Sequence, residues 1–394
     1  MKKSLVYLLA SLVVLLVSSS WAGVNYPDID VTGEISIKAI NANNYDGLKT
    51  ASDKQNYVQQ RTRLYLKGEL TEGVTANAMA EKMNSGSKMG SAAAKQVKDY
   101  STELELKHAY LTVADVVDLV DLTIGRQKIG TKFKSVVYYN NSVDAIKGNM
   151  TCGPVDLTMV YGKTDDKVKN NLYAVLGSGK VGEVSVNGGI YRDAVNQNGV
   201  LTIGASGDVP IVEGLNVGIE YAKQDGKNGT LNRKGTALKA DVNYACEIGG
   251  GKCTLGLTLL NTSGDDKPAD KDDKKYSGIS PSLKLTEIYS DIKAGTTNDD
   301  GAYKADIGNL NALILKAGLA MTEKLDLGLA YGTYKANKGT DKKLGTEINL
   351  TVGYKQSENI AINLLAAQFS SKKGMGLSGT DKATKLQAGM KISF

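Results

Sequence analysis

The chain has 394 residues, a formal charge of +6 and a mean hydropathy of −0.23, with 44 glycines, 20 tyrosines and 5 prolines. A positive charge this mild and dispersed does not mark a nucleic-acid partner, and no stretch beyond the N-terminal one approaches the apolar length of a membrane helix. A single histidine and three cysteines leave little material for a catalytic triad or a His/Cys metal centre.

In chain order, Met1-Lys2-Lys3 is a positive start and Leu5 to Val17 a short apolar run. Ser20 and Ala22 then supply small residues at the two positions a signal peptidase reads. This predicts a cleaved secretory signal over residues 1–22 and a mature chain from Gly23. Cleavage removes Trp21, the only tryptophan, so the aromatic load of residues 23–394 rests on Tyr and Phe.

One pattern then repeats, with no sign of a domain boundary. Ile29 to Ala39 puts Ile29, Val31, Ile35 and Ile37 on one face. Arg61 to Leu70 puts Leu64, Leu66 and Leu70 on one face and Arg61, Arg63, Tyr65, Lys67 and Glu69 on the other. Period-two alternation marks a strand with one apolar and one polar face. Further segments of this kind start near Val74, Thr102, Asp121, Val143, Val155, Asn171, Val184, Leu201 and Leu215. Others start near Thr236, Thr254, Asn311, Leu325, Leu344, Ile360 and Lys385. The total is about eighteen, and an even number brings both ends of a barrel to one side of a membrane.

Connections alternate in length. Thr71-Glu72-Gly73, Pro210 to Gly214, Gly249 to Lys252, Thr322-Glu323-Lys324 and Lys355 to Asn359 are short. Asn41 to Asn56, Asn84 to Tyr100, Gly130 to Ser142, Gln224 to Gly235 and Ser370 to Ala383 are long and polar. The predicted fold is therefore all-β: a single antiparallel transmembrane β-barrel over 23–394, with short periplasmic turns and long extracellular loops. The longest connection, 262–310, carries Ile279, Leu283, Leu285 and Ile288. A loop with that much apolar content is expected to fold into the lumen.

The last strand, Thr384 to Phe394, alternates Leu386, Ala388, Met390, Ile392 and Phe394 with Lys385, Gln387, Gly389, Lys391 and Ser393. It resembles the closing strand of bacterial outer-membrane barrels, in which a terminal Phe belongs to the signal read by the barrel assembly machinery. The resemblance implies an assembly role for Phe394, Ile392 and Met390, and implies outer-membrane lipid and that machinery as partners. Tyr161, Tyr221 and Tyr331 fall on the apolar parity near the long loops, and Tyr244, Tyr354 and Phe394 near the opposite ends, as two interfacial belts would.

A more specific resemblance follows from five segments in order: His108-Ala109-Tyr110-Leu111, Leu122-Thr123-Ile124-Gly125-Arg126-Gln127, Asp144-Ala145-Ile146-Lys147, Gly308-Asn309-Leu310-Asn311 and Gly345-Thr346-Glu347-Ile348-Asn349-Leu350. Together they look like the alginate-export family of outer-membrane channels. That resemblance implies an eighteen-stranded barrel with a basic lumen that passes an anionic polysaccharide or other anionic solutes. The chain departs from the family in having few arginines and no tryptophan beyond the leader.

Polar parity nominates the lumen-facing residues. They are Arg61, Arg63, Tyr65, Lys67 and Glu69 on one strand and Lys147, Lys239, Asp241, Lys316, Glu347 and Lys391 elsewhere. Such charges cost little against water and much in a dry core, so they predict a wet pore with basic and acidic walls. The alternative is that they pair to hold the wall together. Arg126 shares parity with Leu122 and Ile124, and reaches the lumen only if a bulge near Gly125 turns it. His108 shares parity with Leu104, Leu106 and Tyr110 and is expected as an interfacial ring, not a base. Cys246 and Cys253 flank a turn and are placed either to bridge or to remain thiols; Cys152 is expected as a buried free thiol. The mixed-charge run Asp265 to Lys275 reads as a solvated loop before a calcium site. No cofactor and no enzymatic turnover are expected. A passive channel for small polar or anionic solutes is the leading reading; a plugged barrel serving as an adhesin or structural protein, and a secreted non-membrane β protein, are its rivals.

Overall fold

The computed structural model describes residues 28–44, 55–88, 104–117, 119–129, 136–137, 142–165, 170–194, 198–208, 212–266, 271–279, 283–294, 307–372 and 382–394. The expected signal, 1–22, lies outside them, as do parts of the long connections expected from the sequence.

Alternating segments with short turns pair with their sequence neighbours, because a two-to-five-residue turn leaves the next strand no other edge to reach. The strands are β1 (Ile29–Asn43), β2 (Gln55–Thr71), β3 (Val74–Lys88), β4 (Glu105–Val117), β5 (Val120–Lys128) and β6 (Ser142–Cys152). Next come β7 (Val155–Asp165), β8 (Asn170–Val181), β9 (Val184–Asp193), β10 (Asn198–Asp208) and β11 (Leu215–Asn228). After them run β12 (Leu231–Arg233), β13 (Thr236–Ile248), β14 (Gly251–Thr262) and β15 (Asp272–Asp273). The chain closes with β16 (Leu310–Ala320), β17 (Leu325–Ala336), β18 (Lys343–Lys355), β19 (Ile360–Ser371) and β20 (Lys382–Ser393). The short β12 and β15 pair with each other in parallel, Asn232 to Asp272 and Arg233 to Asp273, outside the main sheet. The other eighteen form one antiparallel sheet that closes on itself when β20 pairs with β1, from Glu34↔Ser393 to Asn43↔Thr384.

The seam shows why closure falls where it does. Gly33 and Phe394 exchange backbone hydrogen bonds of 2.7 and 3.0 Å. A Cβ on Gly33 would stand 2.6 Å from the Phe394 ring, so only glycine lets that ring lie flat across β1. The ring covers backbone that glycine leaves bare, the aromatic rescue known from sheet design.

Parity then separates the faces. Leu386, Met390 and Phe394 are exposed on the outside, whereas Lys385 on the alternate register is buried inside. Tyr161, Tyr221, Tyr331, Tyr244 and Tyr354 all lie exposed on the outer face, and Tyr161 packs beside Tyr173 with ring centroids 5.4 Å apart. The inner face carries the core. Val160, Leu172, Tyr191, Leu260, Ile314 and Phe369 are buried there, toward the long-loop end, against loop residues such as Val136, Tyr276 and Ile288.

Strict parity fails at one place that matters. The β3–β4 register shifts between Met79 and Ala80, so that Met79 faces His108 and Ala80 faces Leu106. The extra residue, Lys107, turns inward with His108, and Tyr110 follows on the inner face opposite Asn77. The reading of His108 and Tyr110 as outer interfacial rings is therefore corrected: a bulge reverses which face the strand presents. No such shift occurs on β5, although Gly125 has a φ of 124°. Arg126 consequently stays opposite Ala109 on the outer face and pairs with Asp144 at 3.6 Å. Its assignment to the lumen is corrected as well.

Cys246 and Cys253 are direct register partners and form a disulfide, with a Cα separation of 4.9 Å. Cys152 is a free thiol, and it is exposed rather than buried because it sits at the end of β6 beside a tight turn.

Candidate functional site

The lumen is shaped by the connection between β14 and β16. Its helix α1 (Glu287–Ala294) packs on β18, β19 and β20 from inside the barrel. An α-helix leaves its first backbone amides without partners and a partial positive charge at that end. Glu347 of β18 answers both needs: its carboxylate accepts from the amides of Ile288 at 2.8 Å and Tyr289 at 2.7 Å, and from the Thr286 hydroxyl at 2.6 Å. Thr286 also shares a 2.5 Å hydrogen bond with the Tyr334 hydroxyl. The Tyr289 ring stacks on Tyr334 with centroids 3.7 Å apart, and Phe369 sits edge-on to Tyr334 at 6.2 Å. Such aromatic pairs contribute about 0.5–1.5 kcal/mol beyond the area they bury. Gly332 makes room for this arrangement, since a Cβ there would stand 2.7 Å from the Tyr334 hydroxyl and 3.0 Å from Thr286.

The outer surface of α1 is held by charge. Lys385 of β20 reaches Asp291 at 2.9 Å and Glu287 at 3.4 Å. Lys284, just before the helix, also pairs with Glu287. Burial by itself raises the Glu287 carboxyl, but Lys284 and Lys385 outweigh it and hold the group below the ordinary glutamate value.

The preceding part of the same loop is sealed against β10 and β11. Tyr276 is fully buried and donates to the Val136 carbonyl at 2.9 Å, while Gln224 bonds Ser277 and Asn198 at 3.0 and 2.9 Å. Burial, with Glu220 and Tyr191 nearby, pushes the Tyr276 phenol well above its ordinary value. Two long connections, those after β5 and β14, thus meet inside the barrel through Ile279 and Val137.

Of the residues nominated from sequence, Arg61, Arg63, Tyr65, Lys67 and Glu69 alternate on the inner face of β2. The first two are not free charges. Glu34 lies 3.3 Å from Arg61, 3.6 Å from Arg63 and 2.9 Å from Lys391, and Glu81 meets Arg63 at 2.5 Å. Lys107 joins Glu105 at 2.6 Å. This patch is a wall-holding network; removing one partner of its buried Arg63–Glu81 pair costs about 3–5 kcal/mol. Lys239 is satisfied by Asp241, which also accepts from Thr258 at 2.7 Å. Glu347 faces inward but is covered by α1 and does not line open lumen, which corrects its nomination.

Lys147 and Lys316 differ from these. Both are on the inner face, and among the described residues neither has an acidic oxygen within ion-pair distance. Lys38 of β1, not nominated from sequence, likewise has no ion pair among the described residues, although Glu287 acts on it from a distance. Lys284 at the head of α1 lies near enough to interact electrostatically with both Lys38 and Lys316. Lys38, Lys284 and Lys316, from β1, the loop and β16, therefore bring three cationic groups within electrostatic reach of one another near α1, with Glu287 acting on Lys38 and Asp241 on Lys316 in the opposite sense. Lys316 was nominated from its polar parity and Lys38 shares that parity on β1, but the absence of an ion pair to either among the described residues depends on contacts between strands far apart in sequence.

A family model described as Gram-negative porin matches residues 10–374. The chain belongs to that family. It is an outer-membrane porin, a channel for small solutes and not an enzyme. The turn end of the barrel is thus periplasmic and the long-loop end extracellular. No curated protein matches the chain. Solved structures share its fold at low identity. OpdQ of Pseudomonas aeruginosa superposes with a TM-score of 0.62 at 14% identity, covering 93% of this chain and 98% of that one. OpdK of the same organism, solved with vanillate, gives 0.61 at 10% identity over 93% and 99%. OccAB3 of Acinetobacter baumannii gives 0.59 at 12% over 93% and 100%.

Proposed function

We propose that this porin favours small anionic solutes, which diffuse through the passage beside α1. The observation that carries the reading is the trio Lys38, Lys284 and Lys316: among the described residues only Lys284 is in an ion pair, with Glu287, while Lys38 and Lys316 feel Glu287 and Asp241 without direct contact. A half-desolvated ammonium in a narrow wet lumen attracts anions more strongly than one in bulk water. Arg61 and Arg63 contribute less, because Glu34 and Glu81 cancel them locally. OpdK was solved with vanillate, a small carboxylate, and a carboxylate of that size is the kind of solute we assign to this lumen. The anionic polysaccharide implied by the alginate-export resemblance shares the charge. The loop helix inside the barrel favours the smaller solute. Secretion with cleavage before Gly23 and insertion by the barrel assembly machinery belong to the same proposal.

The test is the reversal potential across a planar bilayer under a salt gradient, wild type against Lys38→Gln/Lys284→Gln/Lys316→Gln. Anion preference should fall most in dilute salt and fade toward molar salt, because screening at 0.1 M extends over about 10 Å. An unchanged reversal potential in dilute salt, with conductance intact, would sink the reading. The apolar loop cluster inside the barrel favours one rival, a plugged pore, and absence of conductance from the wild type would support it.

A further inference from the structure

The wall under α1 is built more elaborately than packing requires. Glu347, 1% exposed, spends both carboxylate oxygens on the first amides and the preceding hydroxyl of a single two-turn helix. Lys385, 5% exposed, spends its ammonium on two acids of the same helix, one turn apart. Together the two side chains grip opposite aspects of α1, one at the N-terminal amides and one at the acidic stripe. Neither is needed to close the barrel, since β18 to β20 are already joined by continuous ladders. Two buried charges facing an element outside the sheet are costly unless that element stays docked.

We infer that Glu347 and Lys385 are positioning residues of the pore: they clamp α1 against the wall, fix the width of the passage and keep Lys284 within it. Lys284 stands immediately before the capped N-terminus, and Glu287 is shared between Lys284 and Lys385. Releasing the cap therefore frees the segment that carries Lys284. The part of this inference that concerns width is independent of solute charge; the part that concerns Lys284 rests on the anion reading above.

The experiment uses the full barrel in planar bilayers, with insertion verified by heat-modifiable gel mobility. The informative variant is Glu347→Gln, which keeps size but turns an amide donor toward one of the two helix amides. Removing a negative charge from a lumen wall would, acting directly, raise anion preference. Releasing α1 and Lys284 acts in the opposite direction. We expect Glu347→Gln to widen single-channel conductance, add open-channel noise and shift the reversal potential toward the value of Lys284→Gln. Lys385→Met should do the same, and Lys385→Arg should stay near wild type because it preserves both ion pairs. Inserted Glu347→Gln barrels with wild-type conductance and noise, or with raised anion preference, overturn the inference. If Lys284→Gln leaves the reversal potential unchanged while Glu347→Gln still raises conductance and noise, the clamp stands and the anion reading fails. A residue with only a structural role would lower the yield of inserted barrel and leave the conductance of the survivors unchanged.

Discussion

Single residues decide where this barrel closes. Phe394 lends its backbone to Gly33 and its ring to the outer surface that Gly33 leaves uncovered. The seam between β20 and β1 is the one pairing whose strands are most distant in sequence, so it forms only after the longest loop closure in the chain. Phe394→Asp keeps the backbone bonds but exchanges an apolar ring for a charge at the membrane boundary. Surface-exposed, heat-modifiable barrel should decrease, with aggregated or degraded chain accumulating in the periplasm. Undiminished surface barrel would remove Phe394 from the closure step. Arg126 teaches the complementary lesson. Its charge on the outer face near the extracellular rim is tolerable because Asp144 on the next strand sits beside it.

At the scale of the element, alternation is the controlling rule and its interruptions carry the information. Leu350, 55% exposed, faces lipid from the middle of β18, whereas Asn363 on β19 faces the lumen opposite Gly389 and Gly353. Leu350→Arg should destabilise the barrel by about 2–4 kcal/mol, while Asn363→Arg should cost little. Reversible urea titration in lipid vesicles measures both, and equal costs would contradict the assignment of faces. The bulge on β4 is the exception: one added residue brings Lys107 and His108 to the same side. Nothing in the local sequence announces it, because Leu104, Leu106, His108 and Tyr110 alternate without a break. The shift is set by Glu81 and Met79 on the facing strand, which take Lys107 as an ion partner and His108 as a register partner.

For the molecule as a whole, the lumen is finished by chain that is not part of the sheet. Docked Glu287 sits below the ordinary glutamate value because Lys284 and Lys385 outweigh its burial. It therefore binds its proton less tightly docked than undocked. The docking contribution is fully present above the undocked value and is lost as pH falls through the lower, docked one. Conductance and open-channel noise should accordingly hold steady from about pH 7 to about pH 5 and rise only in stronger acid. A rise already complete at mild acidity would show that protonation of Glu347, the other carboxylate that holds the helix, and not that of Glu287, controls its release.

The sequence by itself determined the class of this protein. Period-two alternation, alternating turn lengths and an even strand count follow from local backbone geometry and from lipid, which demands a closed sheet. Most strand starts lie within a few residues of their predicted positions, for instance Val74, Val155, Val184, Leu215, Thr236, Leu325 and Ile360. Parity alone also assigned Lys147, Lys239, Asp241, Lys316 and Lys391 to the inner face. Only the tertiary structure decided which of those charges are spent. Arg63 is spent on Glu81 from the next strand and Glu347 on a helix nearly sixty residues away along the chain, whereas Lys38 and Lys316 form no ion pair among the described residues and feel Glu287 and Asp241 only from a distance. The physical reason is that facing direction is a property of one strand, while electrostatic balance is a property of everything folded against it.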